Sequence, residues 1–141
     1  MKKFLILAVL TLLCSFANAK DLYARPLDAT ADSVIIRGRM YRLWGIKAVP
    51  GNWGKIARLV LLQMCLGKEI KFLEDVKHPG TLRFGAFDRQ GKPQINAALQ
   101  LLRMGLAFCE PSDLPKDETL NSRFRAAQKE AQSLKLGIWS E

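Results

Sequence analysis

The side chains able to do acid–base, nucleophilic or metal chemistry are few in this chain and unevenly placed. His78 is the sole histidine and stands beside Pro79-Gly80, so with no second candidate nearby it makes neither a catalytic triad nor a metal site. The cysteines, at positions 14, 65 and 109, show no Cys-x-x-Cys spacing and no histidine cluster, which argues against a structural zinc site. The acids carry the clearest pattern. After Asp32 no Asp or Glu occurs until Glu69, while Arg42 and Lys47 fall inside that interval. Asp32 reads equally well as a strand-entry turn residue or as a functional acid. Arg42 alternates with Tyr41 and Leu43 and so faces away from both. With a formal net charge of +9, the chemistry on offer is the binding of polyanions: nucleic acid, anionic glycans or a membrane surface.

The elements that must position these residues begin after an export signal. Met1-Lys2-Lys3 is a positive start, Phe4 to Leu13 an apolar core, and Ala17-Asn18-Ala19 a small-x-small cleavage site. Residues 1–19 are therefore expected to be removed by signal peptidase I, leaving a periplasmic or secreted domain over residues 20–141. The apolar run is too short for a membrane anchor, and Leu13 before Cys14 departs from a lipobox. Losing Lys2 and Lys3 lowers the net charge to +7, and the remaining chain is long enough to bury one core. An even pair of cysteines in an oxidising compartment, Cys65 and Cys109, predicts a disulfide; two unrelated buried thiols are the alternative.

Ser33 to Ile46 reads as a hairpin turning at Gly38, and Asn52 to Leu66 as a buried helix with Gly67 at its end. Lys68–Glu74 and Leu82–Phe87 read as strands, joined by a loop with Pro79-Gly80. A turn over Arg89-Gln90-Gly91-Lys92 leads to a helix capped by Asn96 and ended by Gly105, and Leu106–Cys109 reads as a closing strand. Leu120, Phe124, Ala127, Ala131 and Leu134 mark one face of a last helix that ends before Gly137. Trp44, Trp53 and Trp139 read as packing residues. The order is α+β, mostly antiparallel strands with helices against a small closed barrel, since closure removes exposed strand edges.

Tyr41-Arg42-Leu43-Trp44-Gly45-Ile46 is similar to the arginine-containing strand of staphylococcal-nuclease-like proteins, which reads Val-Arg-Leu-Trp-Gly-Ile and runs on into Asp-Ala-Pro-Glu. Asp32-Ser33-Val34 stands where that family has the second half of Asp-Gly-Asp-Thr-Ile, and Gly38 matches its hairpin glycine. Trp53-Gly54 with Ala57 resembles the first helix, and Arg83 with Ala86 the strand holding a second arginine. Ile95-Asn96, Leu102 to Ala107, and Ala131 to Trp139 continue the resemblance, which covers nearly all of residues 28–140. It implies a five-stranded OB-fold barrel with three helices and a calcium-dependent phosphodiesterase cleaving DNA and RNA.

Phosphodiester hydrolysis needs charge neutralisation, an activated water and a cation for the pentacoordinate state. The resemblance implies Asp32 as a metal ligand and Arg42 and Arg83 as phosphate contacts. The second metal aspartate falls on Lys47, and the expected Ala-Pro-Glu reads Ala48-Val49-Pro50-Gly51. Calcium wants several hard oxygen ligands, so a single carboxylate is a poor site, and a lysine within about 4 Å of it would occupy the metal's place. The expectation is an exported nuclease-fold domain that binds nucleic acid or another phosphate-bearing polyanion through Arg42, Arg83 and Lys47, with catalysis weak or lost. A working secreted or periplasmic nuclease completed by other groups, and a structural or protein-binding module on the same fold, are the two alternatives.

Overall fold

The computed structural model describes residues 19–66, 69–75, 81–88, 96–110 and 118–141. The export segment before Ala19, Gly67, the loop holding His78, the turn at 89–92 and the loop at 111–117 lie outside the described residues.

The N-terminal strand is split in two. β1 (Ala19–Ala24) and β2 (Asp28–Ala29) are separated by Pro26, whose buried ring removes a backbone donor and breaks the ladder. β3 (Ser33–Ile36) and β4 (Arg39–Leu43) form the expected hairpin. Its two turn residues, Arg37 at φ 52° and Gly38 at φ 77°, are both left-handed, the geometry of a tight turn that matches strand twist. After β5 (Ile46–Ala48) comes α1 (Gly51–Cys65), which buries Ala57, Leu61 and Cys65 at successive turns. β6 (Ile70–Asp75) and β7 (Thr81–Asp88) are the two long strands. α2 (Ala97–Arg103) starts at Asn96, whose Oδ1 accepts from the Leu99 N–H at 3.1 Å, a side-chain cap. β8 (Ala107–Cys109), α3 (Glu118–Ser133) and a 3₁₀ turn (Gly137–Ser140) complete the chain.

The strands make a sheet in the order β1-β6-β7-β4-β3-β2 and a separate β5–β8 ribbon. The α+β class and three helices are present, but a hydrogen-bonded five-stranded barrel is not: among the described residues the ladder is open between β1 and β2. The physical reason is the split strand. One strand spans both edges of the sheet, and Ala24 and Asp28 are at most about 14 Å apart even fully extended, so the sheet curls and its edges are joined by chain rather than by a ladder. The core inside the curl includes Val34, Ile36, Leu43, Phe72 and Leu82, capped by Leu101 and Leu102 of α2 and by Phe124 of α3.

Two expectations are corrected. Phe124, Ala127 and Ala131 are buried as the spacing of α3 requires, but Leu134 is 59% exposed, because the helix ends at Ser133 and Lys135 at φ 51° turns the chain away. Cys65 and Cys109 are not joined by a disulfide. Each Sγ donates to a main-chain carbonyl of a helix, Cys65 to Leu61 at 3.0 Å and Cys109 to Phe124 at 3.4 Å, so neither is directed at the other.

Candidate phosphate-binding site

Asp32 sits in a short turn that its own neighbours hold. Thr30 Oγ1 donates to Asp32 Oδ1 at 3.2 Å, and Ser33 Oγ, itself almost wholly buried, donates to the same oxygen at 3.0 Å. The Thr30 N–H closes the turn on the Ser33 carbonyl at 2.8 Å. The Asp32 carbonyl then accepts from the Leu43 N–H at 2.8 Å, which ties this turn to β4 one residue beyond Arg42. Sequence alone explains the local part, because Thr, Asp and Ser side chains bond backbone and one another over one or two residues.

Arg42 is half-buried and faces away from the buried Tyr41 and Leu43, as the alternation required. It stands between Ser33 of β3 and Thr81 of β7. The β4–β7 junction is the parallel seam of the sheet and holds two register pairs, Arg42 with Thr81 and Leu43 with Leu82, extended by the Trp44 N–H donating to the Leu82 carbonyl at 3.0 Å. Arg83 follows Leu82 on β7, so the register puts the two arginines on neighbouring strands at this seam.

Lys47 is elsewhere. It lies on the β5–β8 ribbon opposite Phe108, and it is exposed. Among the described residues no ion pair joins it to Asp32, so the lysine does not occupy a metal's place beside that carboxylate. The oxygens around Asp32 are those of one acid and two hydroxyls, and no group of three His, Cys, Asp or Glu side chains comes together among the described residues. One negative charge with neutral hydroxyls, already hydrogen-bonded to one another, does not match the oxygen-rich, highly charged shell that calcium requires. The residues present do not fit that ion.

Two residues that sequence reasoning passed over shape this end of the sheet. Arg58 of α1 donates through Nη2 to Asp28 Oδ1 at 2.6 Å and through Nε to the Ala29 carbonyl at 2.9 Å, clamping the strand that leads into the Asp32 turn. The Ala29 N–H donates back to Asp28 Oδ1 at 2.8 Å. That bond first, and Arg58 second, hold the Asp28 carboxyl below the usual carboxylate range. Thirty residues separate the partners, and no periodicity links them. The tryptophans take the packing roles expected for two of them: Trp53 packs on the core, and Trp139 meets the Phe108 ring edge-on at 5.7 Å.

A family model described as "Staphylococcal nuclease homologue" matches residues 45–141. The match takes in Lys47 and Arg83 and begins after Asp32 and Arg42. No curated protein matches the chain.

Proposed function

Because the chain belongs to the staphylococcal nuclease homologue family, we propose that it is an exported nucleic-acid-binding form of that fold in which phosphodiester cleavage is weak or lost. The observation that carries the reading is the chemistry of residues 33–68, which contain no acid and run through the strand of Arg42. A backbone phosphate docked at the β4–β7 seam meets the Arg42 guanidinium, with Arg83 on the adjoining strand as the second contact. Lys47 adds charge from the β5–β8 ribbon. Among the described residues, Asp32 is poorly placed to take a proton from water, since its Oδ1 is committed to two hydroxyls, and Gly51 stands where the family's glutamate belongs. Bound polymer is therefore held rather than cut.

Salt-dependent binding of a fluorescent single-stranded oligonucleotide tests the reading. Affinity should fall with salt along a log–log slope of about −0.7 per phosphate contact, and Arg42→Ala should flatten that slope by about one contact. Identical slopes for the two proteins would remove Arg42 from the interface. A nuclease assay with calcium and with chelator separates this reading from a working enzyme: chelator-sensitive turnover would refute it. Intact-mass measurement of the exported protein tests removal of residues 1–19.

A further inference from the structure

Arg42 shares the outer side of β4 with a large apolar residue. Tyr41 and Leu43 are buried, so Met40 faces out with Arg42, about 7 Å from it along the strand. Met40 is 56% exposed. Its cross-strand partner is the half-buried Ile35, which is paired in turn with Asp28 at the edge of the sheet. The acid in this row does not stand open, because Arg58 meets it. Beyond Met40 the hairpin tip is basic. Arg37, Gly38 and Arg39 are all exposed, and among the described residues neither arginine has an ion-pair partner. Arg39 turns to the other side of the strand, its guanidinium carbon 5.3 Å from the centroid of the buried Tyr41 ring, whereas Arg37 stands in the turn itself. Read from the seam outward, the hairpin carries a guanidinium, a thioether beside an aliphatic side chain, and a second guanidinium.

We propose that the outer face of the β3–β4 hairpin is a base platform for single-stranded nucleic acid. With a phosphate at Arg42, the neighbouring base lies on Met40 and Ile35, and the backbone leaves along the hairpin past Arg37. The inference rests on the nucleic-acid reading above and adds to it the form of the polymer. The flat face of a base is apolar, so covering Met40 with it takes both surfaces out of water. An unbranched, polarizable thioether adapts to any base, so the platform carries no sequence preference. In a duplex the base faces are stacked on one another and only their edges reach the grooves. Met40 therefore adds affinity for single strands and none for duplex, while Arg42 and Arg37 serve the phosphates of either.

The test measures binding of oligothymidylate, of an abasic deoxyribose-phosphate strand and of a duplex, all of equal length. Met40→Ala, at an exposed position, should keep its melting temperature and lose about three- to tenfold in affinity for the oligothymidylate. The same variant should bind the abasic strand and the duplex as wild type does. Arg37→Ala should flatten the salt slope for both single strands by about one contact, whereas Lys55→Ala, which removes the same charge from α1, should leave it unchanged. If Met40→Ala loses nothing, or loses equally on the oligothymidylate and the abasic strand, while Arg42→Ala still weakens binding, the platform is overturned and the nucleic-acid reading stands. Absence of binding to any of the probes would overturn both. Self-association in nucleic-acid-free buffer that Met40→Ala abolishes would also overturn the platform, because a second copy would then be the occupant.

Discussion

Gly105→Ala should be among the most damaging single-methyl additions to this domain. Gly105 has φ 69°, and a Cβ built there would lie 2.2 Å from the Leu136 carbonyl oxygen and 3.1 Å from the Gly137 Cα. The relation is reciprocal, since a Cβ on Gly137 would lie 2.2 Å from the Gly105 oxygen. The left-handed backbone alone costs an alanine about 1–2 kcal/mol. The collision is with main chain, so no rotamer relieves it, and the C-terminal segment must retreat by roughly 1 Å to reach ordinary contact. That retreat breaks the Ile138 N–H bond to the Gly105 carbonyl, 3.0 Å long, at about 1 kcal/mol, and parts the Phe108–Trp139 ring pair, at about another 1 kcal/mol. The expected loss is about 3–4 kcal/mol, a fall in melting temperature of roughly 10–15 °C. Thermal unfolding followed by circular dichroism measures it, with Gly38→Ala as comparison: Gly38 is also left-handed, at φ 77°, but a Cβ there meets nothing within 4 Å. Gly38→Ala should show the conformational cost alone. Equal melting temperatures for the two variants would refute the steric half of the reasoning.

Three more outcomes are expected. Because the Asp28 carboxyl is held below its ordinary range, its contribution is complete above that range and is lost as pH falls through the lowered value; melting temperature should therefore drop less steeply between neutrality and about pH 3 in Asp28→Asn than in wild type. Burial pushes the Cys109 thiol up, against a smaller opposing pull from Arg125, so alkylation at neutral pH should be slow in the folded protein, and denaturation without reductant should release two thiols per chain freed of residues 1–19; no thiols at all would mean a bridge. Calcium should leave the wild-type melting temperature unchanged, because one carboxylate whose Oδ1 already accepts from two hydroxyls does not make the ion's oxygen shell; a calcium-dependent rise would refute that reading of Asp32.

Much of this molecule was legible before its coordinates. The hairpin around Gly38, the Asn96 cap and the buried side of α3 follow from local chemistry: which residues tolerate positive φ, which accept from free helical N–H groups, which recur every third or fourth position. What escaped depends on residues far apart in the chain. The Arg58 clamp on Asp28 spans thirty positions, and the two unbridged thiols follow from where two helices present their carbonyls. The open ladder follows from Pro26, whose missing donor is visible in the sequence, although its effect on closure needs the positions of both sheet edges. In the candidate site, Asp32 and Arg42 stand where alternation and turn chemistry put them. That Lys47 makes no ion pair with Asp32 was not readable, since β5 leaves the main sheet to pair with β8.

The parallel seam between β4 and β7 has a consequence for assembly. Arg42 and Arg83 come from segments about forty residues apart, on opposite sides of α1 and β6, and their strands share only two register pairs. Local pairings such as the β3–β4 hairpin close short loops, whereas this junction closes a long one and repays the lost chain entropy with few bonds. It is therefore a late step in folding, after each half of the sheet has formed its own neighbours. A nascent or partly unfolded chain would not yet hold the strands of Arg42 and Arg83 side by side, so under the nucleic-acid reading proposed above, grip on a polymer would report complete folding.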